Sequence, residues 1–400
     1  MRILDVNNSY SPSGGGIRTY HEQKLAWFAS RGHEIALAAP GPHPGTETRG
    51  SATIHWLESL PMLGSGYRIC LRGEPVADLI DSLRPDIVEI GSPYVMPGIV
   101  GEALEGSGSR AVGYFHTDFA ECYVRPGVSR LLGRRAGDLA AAWAWRRVER
   151  TYSWMHAVLG ASPSILSRLH AAGLRRLLHA PLGVDTALFS PAARSEAVRR
   201  SLGAGDGRTL LLYLARLHPE KGLARLMDAY PLFRDPTRIV LAVGGRGPWK
   251  RRLDRFVREY PEVRRIPYAA GRTDVAALLA SADVYLSLGE AETFGLAALE
   301  ALSCGTATVL PGSSGAADMA AGFGLVPYEP GSPDALAKAV VAALREAGPA
   351  VSERLRRRVL GGMDWESSFA RIERCYRMLI EAPDPRRGGW EPPEGGWWRP

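Results

Sequence analysis

Two carboxylates, Glu292 and Glu300, flank seven residues in Glu292-Thr-Phe-Gly-Leu-Ala-Ala-Leu-Glu300, which continues as Ala301-Leu-Ser-Cys-Gly305. Carboxylates accept hydrogen bonds from hydroxyl-rich ligands, and the N–H groups at a helix start attract anions. The surrounding chain is set up for both. Upstream, Ala282-Asp-Val-Tyr-Leu-Ser-Leu288 reads as a short buried strand. Downstream, Gly295 to Ser303 is apolar and Ala/Leu-rich, the composition of a helix. Glu292 is therefore predicted in a strand-to-helix loop, and Glu300 about two turns into the helix. The N–H groups around Phe294, Gly295 and Leu296 then face an anionic or hydroxyl-bearing ligand, with Glu292 accepting from sugar hydroxyls. The bland alternative is one solvated loop carboxylate and one helix-surface carboxylate. The apolar neighbours of Glu300 argue against it, since an unpaired buried carboxylate is costly.

Three more stretches carry groups suited to chemistry. Gly14-Gly-Gly-Ile-Arg-Thr-Tyr20 lies between a first strand and a first helix. Its glycines permit close backbone approach to a ligand, and the helix beyond offers N–H groups to a phosphate. It lacks the third glycine of a dinucleotide fingerprint, and an ordinary tight turn explains it equally well. Tyr213-Leu-Ala-Arg216-Leu-His-Pro-Glu-Lys221-Gly-Leu223 places one base after a strand and another before a helix. Arg grips a diphosphate bidentately and Lys acts as a mobile point charge. Tyr114-Phe-His116-Thr-Asp118-Phe119 closes a strand, and His116 falls beyond its C-terminal end, where open α/β sheets place ligand groups.

Together these stretches closely resemble the motifs of retaining glycosyltransferases with the GT-B fold, in particular glycosyltransferase family 4. The Glu-x7-Glu stretch with Phe294-Gly295 inside it carries most of the resemblance, over a region from Gly14 to about Ile380. Arg216 and Lys221 match the family's G-R-L-x-x-E-K-G motif, with Ala215 where Gly is usual. The resemblance implies that both offset charge growing on a departing nucleoside diphosphate. It implies that Gly15, Gly16 and Ile17 approach the donor diphosphate. His116 is implied beside the donor sugar, Glu292 on its hydroxyls and Glu300 on the ribose. Gly245-Arg-Gly-Pro248 resembles the family's G-x-G-P turn, with a plain turn as an even alternative. Asp118 is expected either to cap the following segment or, with Tyr20, to contact acceptor. Gly312-Ser-Ser-Gly315 departs from the family pattern, so Asp318 receives no role. Family members most like the Gly14–Tyr20 and Phe115–Phe119 stretches are bacterial α-mannosyltransferases acting on lipid-linked or glycan acceptors. The implied donor is GDP-mannose. UDP-glucose or UDP-GlcNAc is the alternative donor, and a nucleotide-sugar epimerase on the same fold is the alternative enzyme. No tightly bound cofactor is expected, and no motif calls for a divalent metal.

The elements that must position these groups follow from the pattern of strands and helices. Ile3–Asn7, Glu34–Ala39, Pro85–Ile90, Arg110–Phe115 and Ala157–Gly160 read as strands, with helices at Ile17–Arg31 and Glu74–Leu83. Strands at Thr209–Ala215, Ile239–Gly244 and Val284–Leu288 repeat the plan, with helices at Leu223–Tyr230, Trp249–Tyr260 and Val275–Ser281. Such alternation argues for parallel, doubly wound sheets. The fold class is α/β, a GT-B arrangement of two Rossmann-like domains facing each other across a cleft. The first, acceptor domain is predicted over 1–185 with a returning helix over 364–382. The second, donor domain is predicted over 186–363. The boundary falls in Pro181-Leu-Gly-Val-Asp-Thr-Ala-Leu-Phe-Ser-Pro191, which resembles the family's linker, and the Pro/Gly-rich tail 383–400 is predicted without structure.

Composition sets the class. With 400 residues, 46% hydrophobic and 23% charged, the chain is long enough for two cores. Four scattered cysteines form neither a metal pattern nor a disulfide framework, which fits a reducing cytoplasm. Met1-Arg-Ile-Leu-Asp-Val6 runs straight into a strand, so no leader is expected, and no apolar run is long enough to span a bilayer. A formal charge of +7 permits an anionic membrane or substrate without demanding one. Arg125, Arg130, Arg134 and Arg135 precede Ala140-Ala-Ala-Trp143-Ala-Trp145-Arg146-Arg147 in a helical stretch. Such a stretch rests on anionic lipid or packs its tryptophans inward, and with no nucleic-acid module in view, nucleic acid is excluded as a partner. The protein is expected in the cytoplasm, peripheral to the inner face of the membrane.

Overall fold

A computed structural model describes all residues except 13, 63–66, 94, 206, 267–270, 388–389 and 393–396. The chain divides into two compact units, Met1–Pro181 with Glu366–Pro400, and Leu182–Trp365.

The first unit is built on an eight-stranded sheet. Its strands are β1 (Arg2–Val6), β2 (Glu34–Gly41), β3 (Gly45–Arg49), β4 (Ala52–Glu58), β7 (Ile87–Ile90), β8 (Arg110–Tyr114), β9 (Ala157–Gly160) and β10 (Leu177–His179), with β5 (Leu60–Pro61) and β6 (Arg68–Ile69) forming a separate short ladder. The order is β10-β9-β8-β7-β1-β2-β4-β3, parallel throughout except for the edge strand β3 against β4. Helix Gly16–Ser30 follows β1 and helix Glu74–Leu83 precedes β7. Apolar runs such as Ile87-Val88 and Ala111-Val112 are fully buried, as a parallel sheet covered on both faces requires. Leu4, Val88, Ala111, Val158 and Ile165 join in one core.

Charge also lies in that core. Lys24 is fully buried, its Nζ 2.7 Å from Asp5 Oδ1 and 2.9 Å from Glu89 Oε1. It donates to the hydroxyl of Tyr376, on helix Trp365–Glu381, which in turn donates to Glu89. Tyr20 donates to the same carboxylate at 3.0 Å. Burial alone would raise the Asp5 pKa, but the charge of Lys24 and the contact with His21 outweigh it and hold the carboxyl below its usual range.

The second unit holds a five-stranded parallel sheet of β11 (Thr209–Leu214), β12 (Ile239–Gly244), β13 (Arg264–Arg265), β14 (Val284–Leu286) and β15 (Ala307–Val309), in the order β13-β12-β11-β14-β15. Its core gathers Leu211, Tyr213, Leu241, Val243 and Val284. The helix expected over Leu223–Tyr230 continues through Pro231 to Phe233, whose ring packs edge-on against Tyr230 at 5.5 Å. That contact favours the last turn despite the missing proline N–H.

One expectation is corrected at the C-terminus. Within 383–400, Trp397 is buried, and Trp398 packs on the first unit's core and donates its backbone N–H to Leu177 at 2.8 Å. The backbone bond ties Trp398 to the edge strand β10, and its large indole adds apolar area to that core.

Lys24→Met would leave two buried carboxylates without their shared cation. Removing one partner of a buried ion pair typically costs about 3–5 kcal/mol. A correspondingly lower urea midpoint is expected, and an unchanged midpoint would contradict the account.

Candidate active site

In an open α/β sheet, ligand groups gather beyond the C-terminal ends of the strands, where successive connections leave in opposite directions. In the second unit that point lies between β11 and β14. From β11 the chain goes to β12 and β13 on one side, then returns through β14 to β15 on the other. The loop after β11 carries Arg216 and Lys221, and the loop after β14 carries Glu292. The structure joins them: Lys221 Nζ donates to Glu292 Oε1 in an ion pair. Burial works against the Lys221 charge, but Glu292 outweighs it and raises the lysine pKa above its ordinary value. Lys221 is therefore cationic at neutral pH.

Backbone packing explains why these loops meet. Gly222 has φ +80°, and a Cβ there would lie 2.3 Å from the Leu288 carbonyl oxygen, so the residue after Lys221 must be glycine for the two loops to touch. Gly245, at φ +141°, would place a Cβ 1.8 Å from the Ala215 carbonyl oxygen. Beside it, Leu217 donates its N–H to the Arg246 carbonyl at 2.7 Å. The G-x-G-P turn thus braces the segment that holds Arg216. Arg216 lies 3.5 Å from Glu220, which also faces His218 at 3.2 Å. The Tyr213 hydroxyl donates to the Lys221 carbonyl at 3.0 Å, fixing the end of this loop.

Beyond Glu292, whose carbonyl accepts from Gly315 N–H at 2.6 Å, helix Leu296–Ser303 begins at Gly295 with no side-chain cap. Phe294 is buried. Glu300 is the fifth residue of this helix, a little over one turn in rather than two. Burial raises its pKa from 4.5 to about 7; Arg272 pulls it down and Asp185 pushes it further up. Near neutral pH it can therefore be a donor or an acceptor.

In the first unit the corresponding point lies between β1 and β7. Gly15 and Gly16 are exposed at the start of the helix after β1, Gly15 is its N-cap without a side-chain bond, and Ile17 is half-buried. A Cβ on Gly15 would meet nothing within 4 Å, so this turn is open to a ligand. His116, after β8, is half-buried, stacks on Tyr114 at 4.1 Å between ring centres and meets Tyr20 edge-on at 4.8 Å. Burial, then the nearby His21 and Lys24, hold its pKa well below the usual histidine value. It is neutral at pH 7, able to exchange hydrogen bonds with hydroxyls but not to carry charge.

Two residues offered for acceptor contact are occupied inside the unit. The Tyr20 hydroxyl is fully buried on Glu89. Asp118 is fully buried, accepts from the Glu121 N–H at 3.1 Å and pairs with Arg168 at 2.6 Å. Of its two expected roles, the one it fills is holding the following helical segment. Among the described residues no group of three or more His, Cys, Asp or Glu could hold a metal ion.

Sequence reading missed the chain Asp5–His21–Asn7, with His21 Nδ1 3.1 Å from Asp5 and Asn7 Nδ2 2.7 Å from His21 Nε2. It leads from the core to the loop after β1. The available signal was a charge inside each apolar strand, Asp5 in Arg2-Ile-Leu-Asp-Val6 and Glu89 in Ile87-Val-Glu-Ile90. The pair Arg225–Glu290, beside Glu292 in sequence, was missed as well.

Comparison with known proteins places these units. A family model described as Glycosyltransferase Family 4 matches residues 14–188, and one described as Glycosyl transferases group 1 matches 194–358. The chain is 32% identical over 320 residues to the GDP-mannose-dependent alpha-(1-6)-phosphatidylinositol dimannoside mannosyltransferase of Mycobacterium tuberculosis, covering 78% of this chain and 80% of that protein. It is 30% identical over 334 residues to the GDP-mannose-dependent alpha-mannosyltransferase of Mycolicibacterium smegmatis, covering 80% and 82%. Its fold matches that of sucrose-phosphate synthase from Thermosynechococcus elongatus with a TM-score of 0.76 at 17% identity, over 96% of this chain and 100% of that one. Two such sheets, parallel but for the edge strand β3, are those of the GT-B fold. The chain belongs to glycosyltransferase family 4.

The raised Glu300 pKa has a measurable consequence. The folded protein holds that proton more tightly than the unfolded chain, so the contribution to stability is complete below pH 4.5 and is lost as pH rises through about 7. Glu300→Gln mimics the neutral form. Its melting temperature should match the wild type near about pH 5 and exceed it near about pH 8. A parallel pair of curves would contradict the shift.

Proposed function

We propose that this glycosyltransferase moves mannose from GDP-mannose to a lipid-linked or glycan acceptor, with retention of the α configuration, working at the cytoplasmic face of the membrane. The observation that carries the reading is the Lys221–Glu292 pair at the strand ends of the second unit, with Arg216 on the same loop. A cation and a hydroxyl-binding carboxylate side by side suit the joint of a nucleotide sugar, where diphosphate meets hexose. The names of the relatives support GDP-mannose as donor and a phosphatidylinositol mannoside as the kind of acceptor.

In this reading Arg216 and Lys221 hold the diphosphate and stabilise the charge that grows on it as the glycosidic bond breaks. Lys221 suits the task because Glu292 keeps it protonated. Glu292 accepts from hexose hydroxyls, and Glu300 meets the ribose, where a pKa of about 7 lets it ionise as it takes up two hydroxyl donors. Neutral His116 hydrogen-bonds the donor sugar, and the open turn at Gly15, Gly16 and Ile17 receives phosphate oxygens. Within the second unit, the uncapped N–H groups at Phe294, Gly295 and Leu296 offer further donors to anionic oxygens. Gly245 acts through the loop it braces rather than by touching donor.

Arg216→Ala and Lys221→Ala should each lower turnover at saturating donor by roughly a hundred- to a thousand-fold, the typical cost of removing one such stabilising group. Near-normal turnover in both would remove the diphosphate assignment. Donor and stereochemistry are tested together. Among a panel of GDP- and UDP-sugars, GDP-mannose should give the largest rise in melting temperature, since a ligand that binds only the folded state stabilises it. Proton NMR of the product should show an α-mannoside. Greater stabilisation by a UDP-sugar would reassign the donor, and a β-linked product would overturn the retaining mechanism.

A further inference from the structure

Helices Arg125–Leu132 and Arg134–Tyr152 form a hairpin around Gly133. Its apolar side chains are placed the wrong way round for a surface that meets only water. The second helix turns Gly137, Ala141, Ala144 and Val148 inward, and a Cβ on Gly137 would lie 2.8 Å from the Arg125 carbonyl oxygen, so the two helices touch backbone to backbone. The large side chains point out: Leu131 is 82% exposed, Leu132 75%, Leu139 73% and Trp143 61%. A water-facing amphipathic helix would bury Leu and Trp and expose Ala. Trp145, two residues from Trp143, does pack inward, stacking on Phe115 at 5.8 Å and donating to Glu121. Large residues are therefore accommodated inside, and Trp143 is on the other face.

Charge surrounds the exposed residues. Arg130, Arg134, Arg135, Arg146 and Arg147 are all exposed, and the one acid among residues 130–147, Asp138, is already paired with Arg125. We propose that this hairpin docks the enzyme on an anionic lipid bilayer, with Leu131, Leu132, Leu139 and Trp143 entering the interface and the five arginines meeting headgroup phosphates. An amphipathic element with a basic rim and Leu/Trp on its apolar face has the chemistry of an interfacial anchor. A second copy of the chain is a poor occupant, because a self-complementary contact would bring two sets of five arginines together. The proposal deepens the reading of a lipid-linked acceptor and rests on it.

The test is flotation of the full-length protein with vesicles of phosphatidylcholine mixed with phosphatidylglycerol, and with phosphatidylcholine alone. No donor or acceptor is added, so the result is independent of whether mannose is transferred. Binding is expected only to the anionic vesicles and should weaken as salt is raised. The double variant Leu131→Ser with Leu132→Ser and the charge reversal Arg134→Glu with Arg135→Glu should each lower the bound fraction roughly tenfold or more. Val326→Ser, which removes an exposed apolar residue of the second unit, should change nothing. All substituted side chains are exposed, and an unchanged melting temperature checks that each variant is folded. Equal binding to neutral vesicles, retained binding in both hairpin variants, or a concentration-dependent dimer abolished by Leu139→Ser with Trp143→Ser would overturn the proposal.

Discussion

The buried ammonium of Lys24 is the point on which the first unit is organised. It touches carboxylates from two strands, Asp5 on β1 and Glu89 on β7, and a tyrosine from the last long helix, Tyr376. These two strands flank the place where the connections change direction. A dry ion pair gains little net energy over a hydrophobic one, but an incomplete one is severely penalised. The cluster is satisfied only when both strands, helix Gly16–Ser30 and helix Trp365–Glu381 are all in register. Because Tyr376 is far away in sequence, the cluster is complete only when the C-terminal segment has packed on the first unit.

The same cluster reaches His116 and the glycine turn after β1. His21 and Lys24 help keep His116 neutral, and Asn7, hydrogen-bonded to His21, starts the loop that ends at the open glycine turn. The second unit shows the reverse case: there a lysine stays charged while half enclosed, and Glu292 holds it so. The two units thus present a neutral imidazole and a fixed cation, each set by its own surroundings rather than by residue type. Glu300, with burial as the dominant influence, falls between protonation states.

The elements legible in the sequence were those whose signal is local. Helix Glu74–Leu83 and strands Ala157–Gly160 and Ile239–Gly244 lie where apolar period and Gly/Pro punctuation put them. The edge strand β3 and its neighbour β4 escaped notice because polar residues such as Thr46, Glu47 and His55 interrupt the apolar pattern there. The tail was misread because composition weighs glycine and proline, whereas Trp398 packs against a strand far back in the chain and Trp397 against Trp390.

The sequence by itself determined the βα alternation, the residue types at the ends of β11 and β14 and the glycine turn after β1, and hence the family. These are properties of short segments, carried by spacing and side-chain chemistry. Only the tertiary structure decided that Lys221 pairs with Glu292, that Gly245 braces a loop, that Asp118 and Tyr20 are spent inside the unit, and that Trp143 faces out while Trp145 faces in. Each of these depends on which distant segment lies opposite a side chain and how much water it excludes. Burial and pairing set the charge a group carries, and neither is encoded within one turn of helix or one strand.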